Sequence, residues 1–434
     1  MQNIVTKKKI NTAVILAFLM GLFSTMQIVS FFGVTIFNIL LLITFVYLLF
    51  AGVHFYRLNN IILLLIASAA VTTFIAYFGS NISQPYKNKT IISFCVLMLI
   101  YLTYFLVKRN GEKDILKAFF KGFYWSALIQ IGWCILQYLS WKLVAVDINN
   151  VVFNSMFHMA EETSSYRDGN VVCTGLGWHA ANLLPVLLFF YFKTKKWYMK
   201  LLCIIIAFLS RSATLSIAIL LCFLYSFLRY FKYLPCRKLN SNDFIFCALF
   251  LFVVLYFILC GGGQFVELMS SLIQRIKDIT STEGGNSSAT HFSYYLRLPS
   301  ILKRSSFITL LFGYGIDCSG YVFSKYFFQY TDLIWVVESD FVNILLNLGI
   351  VGFVLFYAFV GKLLFKSIKV SPQTSVFMAV IIICGIMYNV QFGWTILMEL
   401  LLYRCVENKI DIFDGRFYYK SIKVNYQMQV NLKA

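Results

Sequence analysis

The stretch MKLLCIIIAFLSRSATLSIAILLCFLYSFL (199–228) decides how the chain threads. Read as one helix, it sends everything downstream to the opposite side and strands Arg229, Lys232, Arg237 and Lys238 there. Read as two short spans joined at Ser210-Arg211-Ser212, it keeps those cations with the other basic loops, where short-loop lysines and arginines gather. A twelve-residue first arm is about 18 Å long at 1.5 Å per residue, well short of a hydrocarbon core roughly 30 Å thick. Arg211 would then be sunk below the surface at the floor of a cavity. An arginine at that depth is expensive, so it reads as functional.

The rest of the composition agrees with a membrane setting. Of 434 residues, 60% are hydrophobic and 13% charged, with a mean hydropathy of +0.77. Repeated apolar runs of about 17–23 residues predict a helical protein with many spans. The expected spans are 10–30, 34–53, 60–79, 90–107, 118–140, 179–193, 199–210, 212–228, 243–262, 341–361, 373–390 and 392–406. The fold class is therefore an all-α polytopic membrane protein of about 12 transmembrane helices, a single domain over 1–434, with both termini on one side. Lys7-Lys8-Lys9 precedes the first run without a small-residue cleavage site after it, so that run reads as a first span.

Charge sets the orientation. One set of tails and loops holds 26 of the 37 lysines and arginines, and the opposite loops hold 10. The rich side is cytoplasmic by the positive-inside rule. The net charge of +19 is thus a topology signal and an attraction to anionic lipid, and no nucleic-acid partner is expected. Two outer loops are long, 141–178 and 263–340. The second begins FVELMSSLIQRIKDI, whose apolar residues recur at helical spacing, so 265–279 reads as an amphipathic helix on the outer leaflet. EGGNSSAT (283–290) reads as a flexible connector that also takes in His291. Eleven cysteines lack CxxC spacing, so neither a metal nor a cofactor is expected. Cys173 and Cys318 fall in the two outer loops, and unpaired thiols are the simpler reading.

The polar passage HFSYYLRLPSILKRSSFITLLFGYGIDCSGYVFSKYFFQYTDLIWVVESDFVNILLNLGIVGF (291–353) is the exception in an apolar chain. Its charged residues belong against water or a substrate. No ATP is present outside the membrane, so synthesis there needs an activated substrate. Lipid-linked pyrophosphate sugars qualify, and arginine forks suit pyrophosphate oxygens. The outward candidates are Arg167, Arg211, Arg297 and Arg304. Arg304 and Lys303 also read well as headgroup snorkelers. A glycosyl acceptor needs a base, for which Glu338 and Asp340 stand just before Phe341. Asp340 reads equally as an acidic helix cap. His179, in GLGWHAANLL, reads either as a base or as an interfacial histidine. Glu399 lies within a span.

At these residues the chain resembles the bacterial O-antigen polymerases (Wzy type) of the wider polymerase and ligase superfamily. Three patches carry the resemblance. Arg167 through CTGLGWHAANLL is similar to that family's Arg, Gly, then His-x-x-Asn entry into a span. LSRSATLSIAIL (209–220) is similar to its Ser-Arg-Ser turn. Arg297, fifteen residues and then Gly313, followed by ESDFVNILLNLGIVG (338–352), is similar to its second large loop. From Arg167 the downstream glycines are Gly169, Gly175 and Gly177, which departs from that spacing. Related ligases carry a histidine eleven residues before the first Gly of the exit, and Glu338 stands there instead of it.

The resemblance implies a metal-independent C-type glycosyltransferase in the bacterial inner membrane, with its active site facing the periplasm. It would join undecaprenyl-pyrophosphate-linked donor and acceptor glycans into O-antigen or capsular polysaccharide, with a chain-length regulator as a further partner. Arg211 and Arg297 would hold the pyrophosphate and Glu338 would activate the acceptor. The competing readings are the ligase, a lipid-linked oligosaccharide flippase and a non-catalytic scaffold.

Overall fold

The computed structural model describes residues 2–31, 34–51, 60–79, 82–109, 112–156, 166–167, 170–177, 182–210, 212–233, 287–326, 337–386, 388–389 and 393–413. The protein is mostly helical. Among the described residues, eight α-helices occupy the first half: α1 Gln2–Phe23, α2 Ile36–Ala51, α3 Asn60–Phe78, α4 Gln84–Arg109, α5 Glu112–Val144, α6 Leu183–Lys193, α7 Trp197–Leu209 and α8 Ala213–Tyr233, with a π-helical turn at Asn150–Met156. Six more are described after them: α9 Ser287–Arg304, α10 Phe307–Phe312, α11 Ser319–Tyr326, α12 Asp340–Val370, α13 Pro372–Gly385 and α14 Gly393–Glu407. Two two-residue hairpins, Ser30–Phe31 with Val34–Thr35 and Tyr166–Arg167 with Asn170–Val171, are the β-structure among the described residues.

Asn60–Phe78, Lys113–Val144 and Asp340–Val370 are long and apolar enough to cross a membrane. Thr12–Phe23, Ile36–Tyr47, Leu183–Lys193, Trp197–Ala207, Thr214–Arg229 and Pro372–Gly385 are shorter apolar helices. Side chains as large as Phe50 (84% exposed), Leu143 (79%) and Phe365 (70%) stand on the outer surface. Many exposed apolar side chains like these mark a surface for hydrocarbon rather than water, so the protein is membrane-associated.

Helices α1 and α5 pack in parallel. Phe18 meets Gly122, Gly21 meets Phe119 and Phe123, and Thr25 Oγ1 lies 2.5 Å from Ser126 Oγ. A methyl on Gly21 or Gly122 would fall well inside 3.0 Å of the facing backbone, so the two backbones touch through small residues. Helices α7 and α8 form an antiparallel pair, broken at Ser210 and Ser212. Ser216 Oγ donates to Ala207 O at 3.3 Å across the break. The 199–228 stretch is therefore two helices. The link between them, Arg211, lies outside the described residues, as do the span at 243–262, the helix at 265–279, and Asp332.

The ends of the bundle differ. At one end, Ser371 Oγ, in the α12–α13 turn, donates to Asp411 Oδ1 at 3.0 Å, and Lys193, at the end of α6, donates to Ile412 O. The starts of α6 and α8 and the end of α13 consequently lie at the other end, which carries the polar loops. Several boundaries depart from the sequence reading. Helix α5 runs to Val144, into the expected loop. Residues 287–290 and His291 are not connector: they form the first turns of α9, because Tyr294 and Ile301 on that helix are buried. The passage 287–326 is built of three helices rather than open loop.

Candidate functional site

Two glycines organise the polar passage. Gly313 (φ 83, ψ −178) ends α10, and Gly349 (φ 67, ψ −173) interrupts α12. This region of backbone space is open essentially to glycine alone. The two residues cross with their backbones in contact, so a methyl on either would overlap main-chain atoms of the other segment. Across this crossing Tyr314 N donates to Leu346 O (2.8 Å) and Gly315 N to Asn347 O (3.2 Å).

Buried asparagines secure the segment that follows. Asn347 Oδ1 accepts from Cys318 N (3.1 Å) and Ser319 N (2.9 Å), taking two N–H groups that the start of α11 leaves without helical partners. Asn343 Oδ1 accepts from Ser319 Oγ (2.5 Å) and Asn347 Nδ2 (2.9 Å). Thr90 Oγ1 donates to Ile316 O at 3.0 Å, and Ser93 Oγ donates to Asp317 Oδ2. The polar passage is thus fastened to α4 and α12.

The start of α12 is the chemically richest point. Ser339 (φ −154, ψ 121) is its N-cap, accepting from Val342 N. Asp340 is therefore not the cap but the first helical residue. It is 1% exposed, and a methyl on Gly385 would lie 2.5 Å from its Oδ2. Asp340 N donates to Tyr388 O at 3.3 Å. Glu338 stands one residue outside the cap and is half-buried.

Tyr295 ties α9 to this point. Its hydroxyl donates to Ile386 O and lies 2.7 Å from Ser339 Oγ. One hydroxyl has one proton, so Ser339 is the donor to Tyr295. Burial pushes the Tyr295 pKa up, and the Asp340 charge adds to it. Arg297 lies on the face of α9 that also carries Tyr294 and Ile301, three and four residues away in helical register. Tyr294 is 3% exposed and meets Phe323 edge-on at 5.1 Å. Arg297 is half-buried, with Nη1 cut off from solvent. Arg304, farther along, is exposed, with its guanidinium 5.8 Å from the Tyr326 ring centroid, a position that fits a surface cation.

The first loop forms a second polar locus at the same end of the bundle. Gln130 Oε1 accepts from Leu176 N (2.6 Å) and Gln137 Oε1 from Gly175 N (2.9 Å), pinning 174–176 to α5. Cys173 N donates to Leu209 O at 3.2 Å, which joins this loop to the end of α7 just before the Ser210–Ser212 break. Arg167 lies in the hairpin Tyr166–Arg167, and His179 lies outside the described residues. Cys173 and Cys318 are both free and buried. Burial pushes the Cys173 thiol up to about 12, and that of Cys318 up to about 11.

The structure therefore sets Glu338 and Asp340 on either side of the α12 cap, to which Tyr295 of the Arg297-bearing helix is tied. It joins the first-loop backbone to the end of α7, and it keeps Arg304 at the surface. Sequence reasoning missed Tyr295, Ser339, Asn343 and Asn347. The two asparagines, four residues apart in an apolar run, were the available signal, since buried amides need partners. Glu399 is 0% exposed inside α14, within electrostatic reach of Tyr101 and Tyr357. Compared with family models and with curated proteins, the chain matches neither.

Proposed function

We propose that the chain is a multi-span membrane glycosyltransferase that extends a lipid-pyrophosphate-linked glycan. The observation that carries this reading is the Tyr295–Ser339 tie, at 2.7 Å. It fastens an arginine-bearing helix to a helix start flanked by two carboxylates. In the reaction, an acceptor sugar hydroxyl attacks the anomeric carbon of the donor glycan. The new glycosidic C–O bond forms as the bond to pyrophosphate oxygen breaks, and lipid pyrophosphate leaves. Glu338 takes the hydroxyl proton. Arg297, with Arg211 and Arg167 from the first-loop side, holds the charge that develops on the leaving pyrophosphate. Asp340 is the second candidate for the base, and His179 the third.

The wider reading is an O-antigen or capsular polysaccharide polymerase in a bacterial inner membrane. It has about twelve spans, cytoplasmic termini, and 141–178 and 263–340 facing the periplasm, with a chain-length regulator as a further partner. Cysteines introduced at Ser164 and Ser287 should label from outside with an impermeant reagent, and protection of both in intact spheroplasts would sink this topology. The activity test is direct. Purified protein in liposomes, given lipid-pyrophosphate repeat units, should produce a ladder of longer glycans. A specific observation favours a second reading, a lipid-linked oligosaccharide flippase: Asp340 and Glu399 are both buried in helices, as ionisable groups on transport pathways often are. A flippase would move the lipid-linked unit across the same liposomes and leave its length unchanged.

A further inference from the structure

The end of the bundle away from the polar loops holds a cavity of about 500 Å³. Lys117 and Lys121 line it from α5, Lys193 from the end of α6, and Lys195 and Lys196 from the α6–α7 link; Asp411 is the acidic residue of the lining. Its remaining wall is largely apolar, with Phe120, Met199 and Ile410. Lys117 and Lys121 are four residues apart on one helix face, an arrangement that is destabilising for like charges. Three more lysines line the same cavity. Asp411 Oδ1 already accepts from Ser371 Oγ (3.0 Å) and Phe413 N (2.9 Å).

Immediately beside the lysines, Trp197 and Tyr198 are 37% and 46% exposed, and Lys196 Nζ lies 5.5 Å from the Tyr198 ring centroid. Exposed Trp and Tyr next to lysine is the composition of a membrane–water interface. A cavity with a basic lining and an apolar wall, beside aromatics of that kind, suits an amphiphile. We propose that this cavity is a binding site for an anionic phospholipid, the lysines taking the phosphate and the apolar wall the upper acyl chain. The shared chemistry is a phosphate anion, and the adjoining apolar wall selects the lipid as its source.

The test uses the full-length protein, purified into nanodiscs of phosphatidylcholine alone or with phosphatidylglycerol added. Phosphatidylglycerol should raise the melting temperature of the unaltered protein. The double variant Lys121→Gln/Lys196→Gln should bind it about thirtyfold more weakly, the product of two lysine contacts near a charged surface. A control pair outside the cavity, Lys362→Gln/Lys369→Gln, should keep the response. If the control pair loses as much as the cavity pair, the effect is general attraction to a basic surface and the site falls. If inorganic phosphate or pyrophosphate reproduces the shift and phosphatidylglycerol does not, the ligand is a soluble anion and the lipid assignment falls. Native mass spectrometry of the unaltered protein gives an independent reading should the double variant fail to fold. Retained phosphatidylglycerol in excess of phosphatidylcholine is expected, and equal retention overturns the proposal.

Discussion

Replacing Gly349 by alanine tests the crossing on which the polar passage hangs. The residue sits at φ 67, ψ −173, where an L side chain is strained by about 1–3 kcal/mol. The new methyl would also come well inside 3.0 Å of Gly313 N and of the Leu311 carbonyl. These are backbone atoms, so neither neighbour can rotate away, and overpacking of this kind costs about 1–3 kcal/mol more. The combined loss is on the order of 2–6 kcal/mol. Gly361, in the same helix, is an internal control: nothing lies within 4 Å of the position its methyl would take. Gly361→Ala should stabilise by up to about 1 kcal/mol through helix propensity alone. Thermal unfolding of both variants in detergent, followed by tryptophan fluorescence, should shift in opposite directions. The two should also differ in limited proteolysis after Phe312, with Gly349→Ala cut first. If Gly349→Ala melts with the parent or above it, the close crossing is wrong and the polar passage is held by something else.

Other expectations concern the chemistry and the thiols. Glu338→Gln should abolish chain extension and let single lipid-linked repeats accumulate. Asp340→Asn should lose less, because Ser339 caps α12 in either case. Gel banding of surface glycan at matched protein levels decides, and long chains from Glu338→Gln beside none from Asp340→Asn would transfer the base to Asp340. Arg297→Ala should lose about 10²–10³ in rate, the scale for one donor to a developing oxyanion, while Arg304→Ala stays mild; equal losses would mean that the passage is merely basic. Tyr295→Phe should lower kcat for extension with little change in melting temperature, since it unties α9 from Ser339 without opening a cavity; an unchanged kcat would remove Tyr295 from positioning Arg297. Cys173 should resist maleimide at pH 8. Raising a thiol from an ordinary value near 9 to about 12 thins its reactive thiolate about a thousandfold, so labelling should grow only as pH rises or the protein unfolds. Fast labelling of Cys173 itself in the native protein at pH 8, with Cys95 replaced by Ser, would contradict the buried geometry.

What could be read from the sequence followed long-range composition, and what could not depended on distant partners. Hydropathy located apolar helices among the described residues, and the break between α7 and α8 falls in 199–228 where the sequence reading divides it. The beginning of α9 was hidden. Gly284, Gly285 and the serines after them carry local connector signals, yet tertiary burial of Tyr294 and Ile301 holds the helix from Ser287. The cap of α12 was misjudged by one residue because Glu338, Ser339 and Asp340 are all polar, and only the extended backbone of Ser339 shows which one caps. The asparagine latch was illegible for a different reason. The N–H groups that Asn347 accepts from are 28 and 29 residues away, and no local pattern announces that pairing.

The parallel contact of α1 with α5 has a consequence for how the chain is made. Thr25 and Ser126, which meet at 2.5 Å, are 101 residues apart. At synthesis rates of about 5–20 residues per second, that interval takes roughly 5–20 s. Helices α2, α3 and α4 emerge during it, and α1 spends that time without the partner that its glycine face fits. The close contact of α1 with α5 therefore forms only after α2, α3 and α4 have been made. A substitution at Gly122 should leave early nascent chains indistinguishable from the parent, and its effect should begin only once α5 has left the ribosome.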